Sequence, residues 1–220
     1  MAAKVTKKSI DLVKNVGADA LGLFLGVPTG TAMALVGDML KRRIVEARDI
    51  LLNQIRAGDI DVIEAAASDE KVDILYRYYI AARDGAGRAN LHLLARVIVG
   101  LAGRDRLYAD EFNRYAVLLS QLTRDQIFVI GRYYAHEKSV AGEQDDVIRS
   151  TSAWKNVIKE MVPTHFATEG HIQSVCAQLI GAGLLFQIGA FGNNVYRLTP
   201  LVEEIANLAD FEAALASANA

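Results

Sequence analysis

Four histidines and one cysteine are the residues of this chain best suited to catalysis or metal binding: His92, His136, His165, His171 and Cys176. Two zinc-binding histidines on one helix stand four residues apart, in the pattern HExxH. The sequence begins this pattern as HE at residues 136–137, but Val140 stands where the second histidine is needed. The spacing of the four histidines fits no other metal site, so we predict no bound metal and no cofactor.

A second motif, GVPTGT at residues 26–31, begins like a phosphate-binding loop. Such a loop needs a lysine directly after its last glycine to reach the β- and γ-phosphates, and this chain has Thr31 there. Cys176 lies within an apolar helical stretch, which predicts a buried, unreactive thiol. His92 also stands on a largely apolar helix, where we expect a core or boundary histidine with satisfied hydrogen bonds. Since no Gly-x-Ser-x-Gly motif or carboxylate pair stands out, we predict that the protein is not an enzyme.

The composition is that of a helical, globular protein. Hydrophobic residues make up 52% of the 220 positions, and there are 3 prolines, which excludes a disordered chain and favours helices. The formal net charge of −2 neither favours nor excludes a nucleic-acid partner. A single cysteine allows no disulfide within the chain, so we expect a reducing compartment and a cytoplasmic location.

Residues 20–37, ALGLFLGVPTGTAMALVG, form an uncharged stretch that could contact a membrane. A membrane-spanning helix needs about 20 apolar residues, and Pro28 divides this stretch into halves of about 8 residues. We therefore predict a buried bend between two helices. Charged residues at 11, 14 and 19 interrupt the region that a signal peptide keeps apolar, so we expect no signal peptide. The alternative is a membrane or oligomer contact through the larger side chains Leu21, Phe24, Leu25 and Val27.

Apolar residues at steps of three and four predict one long helix over about 31–57, ending before Gly58. The sequence LTRDQ predicts a capping box between Thr123 and Gln126, in which each side chain accepts a hydrogen bond from the other residue's amide. The helix after this box should run to about residue 136. The polar stretch 139–150 predicts a linker that closes an all-helical domain of residues 1–138. Shorter helices are expected within that domain at about 59–67, 68–83, 88–103 and 108–120.

The segment 151–220 has a different order of elements: two helices, two short β-prone runs around GAFGNN, and one closing helix over LVEEIANLADFEAAL. This order resembles the winged helix-turn-helix superfamily over about residues 151–216, with a hairpin at about 184–198. The expected fold is mainly α, with a multi-helix N-terminal domain on one long helix and a C-terminal winged-helix module. Two groups of residues carry the resemblance: the exit L…GLL from the second helix, Leu179, Gly183, Leu184 and Leu185, and the passage YxLTP into the last helix, Tyr196, Leu198, Thr199 and Pro200.

Many winged helices place their second helix in the major groove of DNA. DNA binding draws its affinity from Lys and Arg at phosphates, but the helix at 168–182 has neither, and residues 139–220 hold four basic side chains against nine acidic ones. Other members of the superfamily serve protein contacts, so we favour a protein partner, and nucleic acid stays a disfavoured alternative. The candidate contact residues on this helix and its wing are Glu169, His171, Gln173, Gln178, Asn193 and Asn194.

The triplet Arg-Tyr-Tyr occurs twice in similar helical settings, at residues 77–79 and 132–134. Arginine beside tyrosine can form a surface for single-stranded nucleic acid or for an acidic partner. The simpler interpretation is a set of exposed arginines with tyrosines at the edge of the core. Both interpretations stay open, and four residues join the candidate interaction surface: Arg77, Tyr78, Arg132 and Tyr133.

The chain combines a helical part that has an apolar, glycine-rich segment, the stretch 112–134, and a terminal winged helix. In this outline the whole chain also resembles bacterial abortive-infection proteins, and the resemblance would imply a defence role at the membrane. We predict a non-enzymatic helical protein whose acidic winged helix serves protein–protein contacts or self-assembly, as a homo-oligomer. A DNA-binding transcriptional regulator and a membrane-associated defence effector are the alternatives.

Overall fold

The computed structural model describes residues 31–58, 68–104, 107–142, 145–188 and 194–219, and these form nine helices and one two-stranded hairpin. The predicted mainly helical fold with a short hairpin near the C-terminus is confirmed. The predicted helix at 59–67 and the uncharged stretch up to residue 30 lie outside the described residues. The first four helices are α1 Thr31–Gly58, α2 Ser68–Arg83, α3 Arg88–Ala102 and α4 Ala109–Ser120. The later elements are α5 Arg124–Ser139, α6 Asp146–Met161, α7 Glu169–Gly181, β1 Leu185–Gln187, β2 Tyr196–Leu198, α8 Pro200–Leu208 and α9 Phe211–Asn219.

The chain divides into two compact units, one ending at Gln121 and the other running from Leu122 to Asn219. The predicted linker 139–150 therefore lies inside the second unit and does not separate two domains. Its residues end α5 and begin α6, and these two helices pack against each other. Asp145 caps α6, because its Oδ1 accepts hydrogen bonds from the backbone N–H groups of Val147 (2.8 Å) and Ile148 (3.0 Å).

The first unit is built on α1, which packs against α2 and α3. The apolar stripe that predicts α1 is buried, because Ile44, Ala47, Leu51 and Ile55 are all at most 1% exposed. The Tyr78 hydroxyl donates to the backbone oxygen of Ala47 at 2.9 Å and ties α2 to α1. Burial of each large aliphatic side chain contributes about 1.5–3 kcal/mol, so this stripe fixes α1 against its neighbours.

Helix α3 is buried over most of its surface and packs against α1, α2 and α4. Asn90 Nδ2 donates to the backbone oxygen of Leu119 at 2.6 Å and joins α3 to α4. The turn that precedes α3 contains Gly85 at a φ of +103°, which glycine adopts without strain. This packing orients α3 so that the face that carries His92 lies toward α1.

Helix α5 is the central helix of the second unit and contacts α6, α7, α9 and β2. The predicted capping box at its start is confirmed: Thr123 Oγ1 accepts from the Gln126 amide at 3.2 Å, and Gln126 Oε1 accepts from the Thr123 amide at 2.7 Å. Further along α5, Tyr133 is 1% exposed, and its hydroxyl donates to the backbone oxygens of Ser150 and Tyr196. One side chain therefore joins α5 to both α6 and β2.

The hairpin and the two last helices follow α7. Strands β1 and β2 pair antiparallel, with Phe186 opposite Arg197. The closing helix that the sequence predicts as a single element is in fact two, because α8 ends at Leu208 and α9 begins at Phe211. Asp210 lies between them, and its Oδ1 accepts from the backbone N–H of Ala213 at 3.0 Å. An aspartate that caps a helix in this way starts a new helix instead of continuing the old one.

Candidate functional site

A groove of about 420 Å³ lies in the second unit between α6, the start of α7 and the residues just before β2. We name it the α6–α7 groove. Its position depends on the packing of α6 against α5 and β2 and of α7 against α5. The lining side chains used below are Trp154, Lys155, Lys159, Glu169, Gln173 and Asn194.

The floor of the groove is apolar. Trp154 is 4% exposed, and its ring meets the Tyr196 ring edge to face at a centroid distance of 4.7 Å. Ile158 and Val195 extend the apolar lining on either side. Buried tryptophan supplies a large apolar area in a fixed orientation, so the groove can accept an apolar side chain.

One rim of the groove is positively charged. Lys155 and Lys159 are exposed and lie one turn apart on α6. Over the part of the chain that the structure describes, neither lysine has a carboxylate within ion-pair distance. These two charges remain available to a ligand. Lys155 and Lys159 were not among the residues predicted from the sequence, although their spacing of four residues places them on one face of a helix.

The opposite rim is a chain of side-chain hydrogen bonds that connects α7 to the hairpin. Gln173 Nε2 donates to Glu169 Oε1 at 3.2 Å, and Asn194 Nδ2 donates to Gln173 Oε1 at 3.4 Å. Gln187 Nε2 donates to Asn194 Oδ1 at 2.8 Å. The structure therefore brings together three of the predicted contact residues, Glu169, Gln173 and Asn194, at one edge of the groove.

The outward face of α7 carries no charged side chain after its first turn. Among its exposed residues are His171, Ser174, Ala177 and Gln178. Gln178 lies near the start of α5, where its Oε1 accepts a hydrogen bond from Gln126 Nε2 at 2.9 Å. This surface can make hydrogen bonds and close contacts, but it has no cation to hold a phosphate.

The arginine at the base of the hairpin is held in an ion pair. Arg197 Nη2 lies 2.7 Å from Asp146 Oδ2, and the other oxygen of Asp146 lies 2.5 Å from Arg149 Nη2. Asp146 at the start of α6 therefore forms ion pairs with two arginines. A wing that contacts phosphate needs such an arginine to be available.

The structure does not place both copies of Arg-Tyr-Tyr at the surface. Tyr78 is 0% and Tyr133 1% exposed, so the prediction that they form an interaction surface is wrong, since each faces the core of its unit. Arg132 is engaged within the second unit, where its guanidinium lies 2.5 Å from Glu160 Oε1 and 2.6 Å from Glu212 Oε1. Of the four predicted residues, Arg77 alone is exposed.

The ion pairs of Arg132 form a junction of α5, α6 and α9. His136 also contacts this junction, with its Nε2 2.6 Å from Glu160 Oε2. Partial burial alone would raise the pKa of Glu160, but hydrogen bonds from Arg132 and His136 outweigh it and hold this pKa below its usual value. The junction is a structural contact between helices.

The remaining histidines and the cysteine differ from one another in environment. His165 Nε2 lies 3.1 Å from Asp125 Oδ1, and its ring contacts the Phe128 ring at a centroid distance of 4.3 Å, with the two planes tilted by 40°. Burial raises the pKa of Cys176 to about 12, as expected for an unreactive thiol. His92 is buried as predicted, and among the described residues neither of its ring nitrogens has a hydrogen-bond partner.

Several predictions fall on residues outside those described, namely Asn193 of the wing and the candidate membrane or oligomer contacts Leu21, Phe24, Leu25 and Val27. Among the described helices, none has a run that is both long and apolar enough to cross a membrane. The same residues contain no group of three or more His, Cys, Asp or Glu side chains arranged to hold a metal ion. No protein-family model, curated protein or solved structure gives a significant match to this chain.

Proposed function

We propose that the second unit is a winged-helix module that binds a segment of a partner protein in the α6–α7 groove. The partner segment carries acidic side chains on either side of an apolar one. The observation that carries the proposal is the apolar floor beside Lys155 and Lys159, two lysines without an ion-pair partner among the described residues. The role is one of binding without catalysis.

The order of elements supports the winged-helix assignment. Helices α5, α6 and α7 are followed by an antiparallel hairpin and then by α8, which is the order in which this superfamily arranges its helix-turn-helix and wing. The module includes α5 in this arrangement, because α5 packs against α6, α7 and β2. Its first residue is therefore near Leu122, earlier than the sequence predicts.

The distribution of charge favours a protein partner over DNA. A DNA-binding winged helix needs cations on its recognition helix and wing. Here the outward face of α7 has none, and Arg197 pairs with Asp146 at 2.7 Å. Lys155 and Lys159 lie on α6 beside an apolar floor instead, and this combination suits a short amphipathic peptide with negative charge.

The proposal is tested with peptides selected by display against the full chain. We expect the selected peptides to combine Asp or Glu with Leu, Phe or Trp, and to bind the variants Lys155→Glu and Lys159→Glu at least tenfold more weakly. Lys138→Glu is the matched control, since Lys138 is an exposed lysine of α5 that does not line the groove. Equal binding to all three variants contradicts the proposal.

A second measurement separates this function from its alternatives. Fluorescence anisotropy with a duplex DNA in physiological salt should give no binding at micromolar protein, and binding at that level would replace the proposal with a DNA-reading role. Light scattering over a range of concentrations tests self-assembly. A dimer that dissociates in Lys155→Glu, but not in Lys138→Glu, would identify a second copy of the chain as the occupant of the groove.

A further inference from the structure

Helix α6 and its N-cap carry one stripe of residues that reach the surface along most of the helix. Its members follow at alternating steps of three and four and therefore share one side of the helix: Asp145, Ile148, Ser152, Lys155 and Lys159. Ser152 is half-buried, and the other four are exposed. We name these five residues the α6 stripe. Its acidic side chain lies at one end and its two lysines at the other.

An apolar edge runs beside the α6 stripe. At the start of α6, Val147 and Ile148 are 59% and 52% exposed. Thr151 follows one turn after Val147 and lines the α6–α7 groove, where Trp154 and Ile158 continue the row at steps of three and four. The hydroxyl of Thr151 donates to the backbone oxygen of Val147 at 2.7 Å, so it is satisfied within the helix. The apolar side of the groove therefore extends to two adjacent apolar side chains in contact with solvent, which is typical of a contact surface.

The order of charge along the α6 stripe makes it complementary to a second copy of itself. Two helices that pack antiparallel about a twofold axis bring the start of each against the end of the other. Ser152 is seven residues from both Asp145 and Lys159, so an axis at Ser152 places each Asp145 opposite Lys159 of the second copy. The small side chain of Ser152 allows the two helices to approach closely there. A parallel pair would instead place like charges and like helix dipoles side by side.

The same arrangement fills both grooves. With the axis at Ser152, Val147 and Ile148 fall opposite residues 157 and 156 of the second copy. These positions lie within the stretch from Trp154 to Ile158 that lines the α6–α7 groove. Each copy therefore gives its apolar start of α6 and receives the other's, and the assembly closes at two chains.

We propose that the occupant of the α6–α7 groove is the start of α6 from a second copy of the chain, in an antiparallel twofold dimer. Val147 and Ile148 lie against the apolar lining, and Asp145 pairs with Lys159 across the interface. This inference rests on the function proposed above, because it names the partner of the same groove. Lys155 remains for a second acidic side chain, which a selected peptide can carry, so we expect such peptides to displace the dimer.

Sedimentation equilibrium of the full chain, from low to high micromolar concentration, tests the dimer. We expect the dissociation constant to rise at least tenfold in Ile148→Lys, because the new lysine removes an apolar contact and is repelled by the lysines of the second copy. Val117→Lys is the matched control and should leave the dimer intact, since Val117 is an apolar residue of α4, 56% exposed, in the first unit. A chain that stays monomeric, or a dimer that the two variants affect equally, overturns the proposal.

The position of the twofold axis is tested at Ser152. A cysteine there meets its own copy across the axis, whereas the native Cys176 is 0% exposed. We expect a short bismaleimide to join two chains of Ser152→Cys. The same reagent should leave Ser174→Cys as single chains, because Ser174 is an exposed serine on the outward face of α7. Cross-linking of Ser174→Cys in place of Ser152→Cys overturns the arrangement.

The peptide measurement separates the dimer from the proposed function. A monomeric chain whose selected peptides bind Lys155→Glu and Lys159→Glu weakly overturns the dimer and leaves the protein-binding groove in place. A dimer that persists unchanged in Lys159→Glu uses another surface, which overturns the second copy as the occupant of the groove. Displacement of the dimer by a selected peptide supports both.

Discussion

Tyr133 joins three elements of the second unit through one hydroxyl. Its oxygen donates to the backbone of Ser150 in α6 and of Tyr196 in β2, while its ring lies 6.2 Å from the Trp154 ring. The neighbouring Tyr134 has a different environment, half-buried, with Lys138 Nζ over its ring at 5.2 Å. Two adjacent tyrosines of the same triplet therefore lie in different environments, and we expect them to contribute differently to stability.

We expect Tyr133→Phe to lower the free energy of unfolding by about 1–3 kcal/mol, because it removes the one hydroxyl proton that two buried carbonyl oxygens share. Urea denaturation followed by Trp154 fluorescence measures the change. Tyr134→Phe is the matched control and should alter stability by less than about 0.5 kcal/mol. Equal losses in the two variants would contradict the role given to the Tyr133 hydroxyl.

His92 should make the stability of the chain depend on pH. Its pKa in the folded state lies below the ordinary value of 6.5, whereas the pKa of the same histidine in the unfolded chain is about 6.5. Below this pH the unfolded state therefore binds a proton that the folded state does not, and stability falls as the pH falls. We expect the stability of the native chain relative to His92→Phe to decrease from pH 7 to pH 5, measured by denaturation at several pH values. A difference that is constant with pH contradicts this expectation.

Single residues were predictable where the pattern is local. The capping box follows from the types of Thr123 and Gln126 and from their spacing of three residues. The apolar neighbours of Cys176 predict its burial. The side of the helix on which Tyr78 and Tyr133 lie depends on the elements packed against that helix. Sequence alone leaves this open for an amphipathic side chain such as tyrosine.

At the scale of elements, helix boundaries follow from caps as much as from apolar periodicity. Helix α1 is confirmed over Thr31–Gly58 because its stripe is regular and Gly58 ends it. The break between α8 and α9 was not predicted, because the two residues between these helices, Ala209 and Asp210, are neither glycine nor proline. Its cause is the Asp210 side chain, which accepts from the Ala213 amide at 3.0 Å.

We expect Thr123→Ala to lower the free energy of unfolding by about 0.5–2 kcal/mol, because α5 loses the side chain that caps its first turn. Thr123→Ser retains a hydroxyl in the same place and should restore most of the loss. Guanidinium denaturation of the full chain measures both. If serine and alanine are equally destabilising, the cap is not the source of the effect.

The α6–α7 groove shows which part of a site the sequence leaves open. Glu169, Gln173 and Asn194 were identified from their places on a helix and a wing, and the structure brings them together through hydrogen bonds. Lys155 and Lys159 were missed because they belong to the preceding helix. Their proximity to Glu169 depends on the angle between α6 and α7, which no local pattern encodes.

At the scale of the whole molecule, the chain consists of two units, each with its own core. The polar stretch 139–150 was interpreted as a linker because polar residues and a glycine are typical of domain boundaries. The same composition is also typical of a short connection between two packed helices. The two compact units meet at Gln121 and Leu122, where only a short turn precedes the capping box of α5.

We expect a fragment of residues 122–219 to unfold cooperatively by itself, because it contains α5 together with α6, α7, α9 and β2, against which α5 packs. A fragment of residues 151–219, which begins at the domain boundary predicted from the sequence, lacks α5 and should not unfold cooperatively. Trp154 is the sole tryptophan of the chain and reports on both fragments by fluorescence during heating. Cooperative melting of the shorter fragment would contradict this division.

The burial of Cys176 makes the native chain a convenient background for site-specific labelling. It is the chain's one cysteine, it is 0% exposed and its thiol stays protonated at neutral pH, so a maleimide dye should leave it unmodified. A variant such as Lys159→Cys would then carry one reactive thiol, at the rim of the α6–α7 groove, with the native cysteine left in place. The rate at which the dye reacts there becomes a direct measure of whether the groove is open or covered.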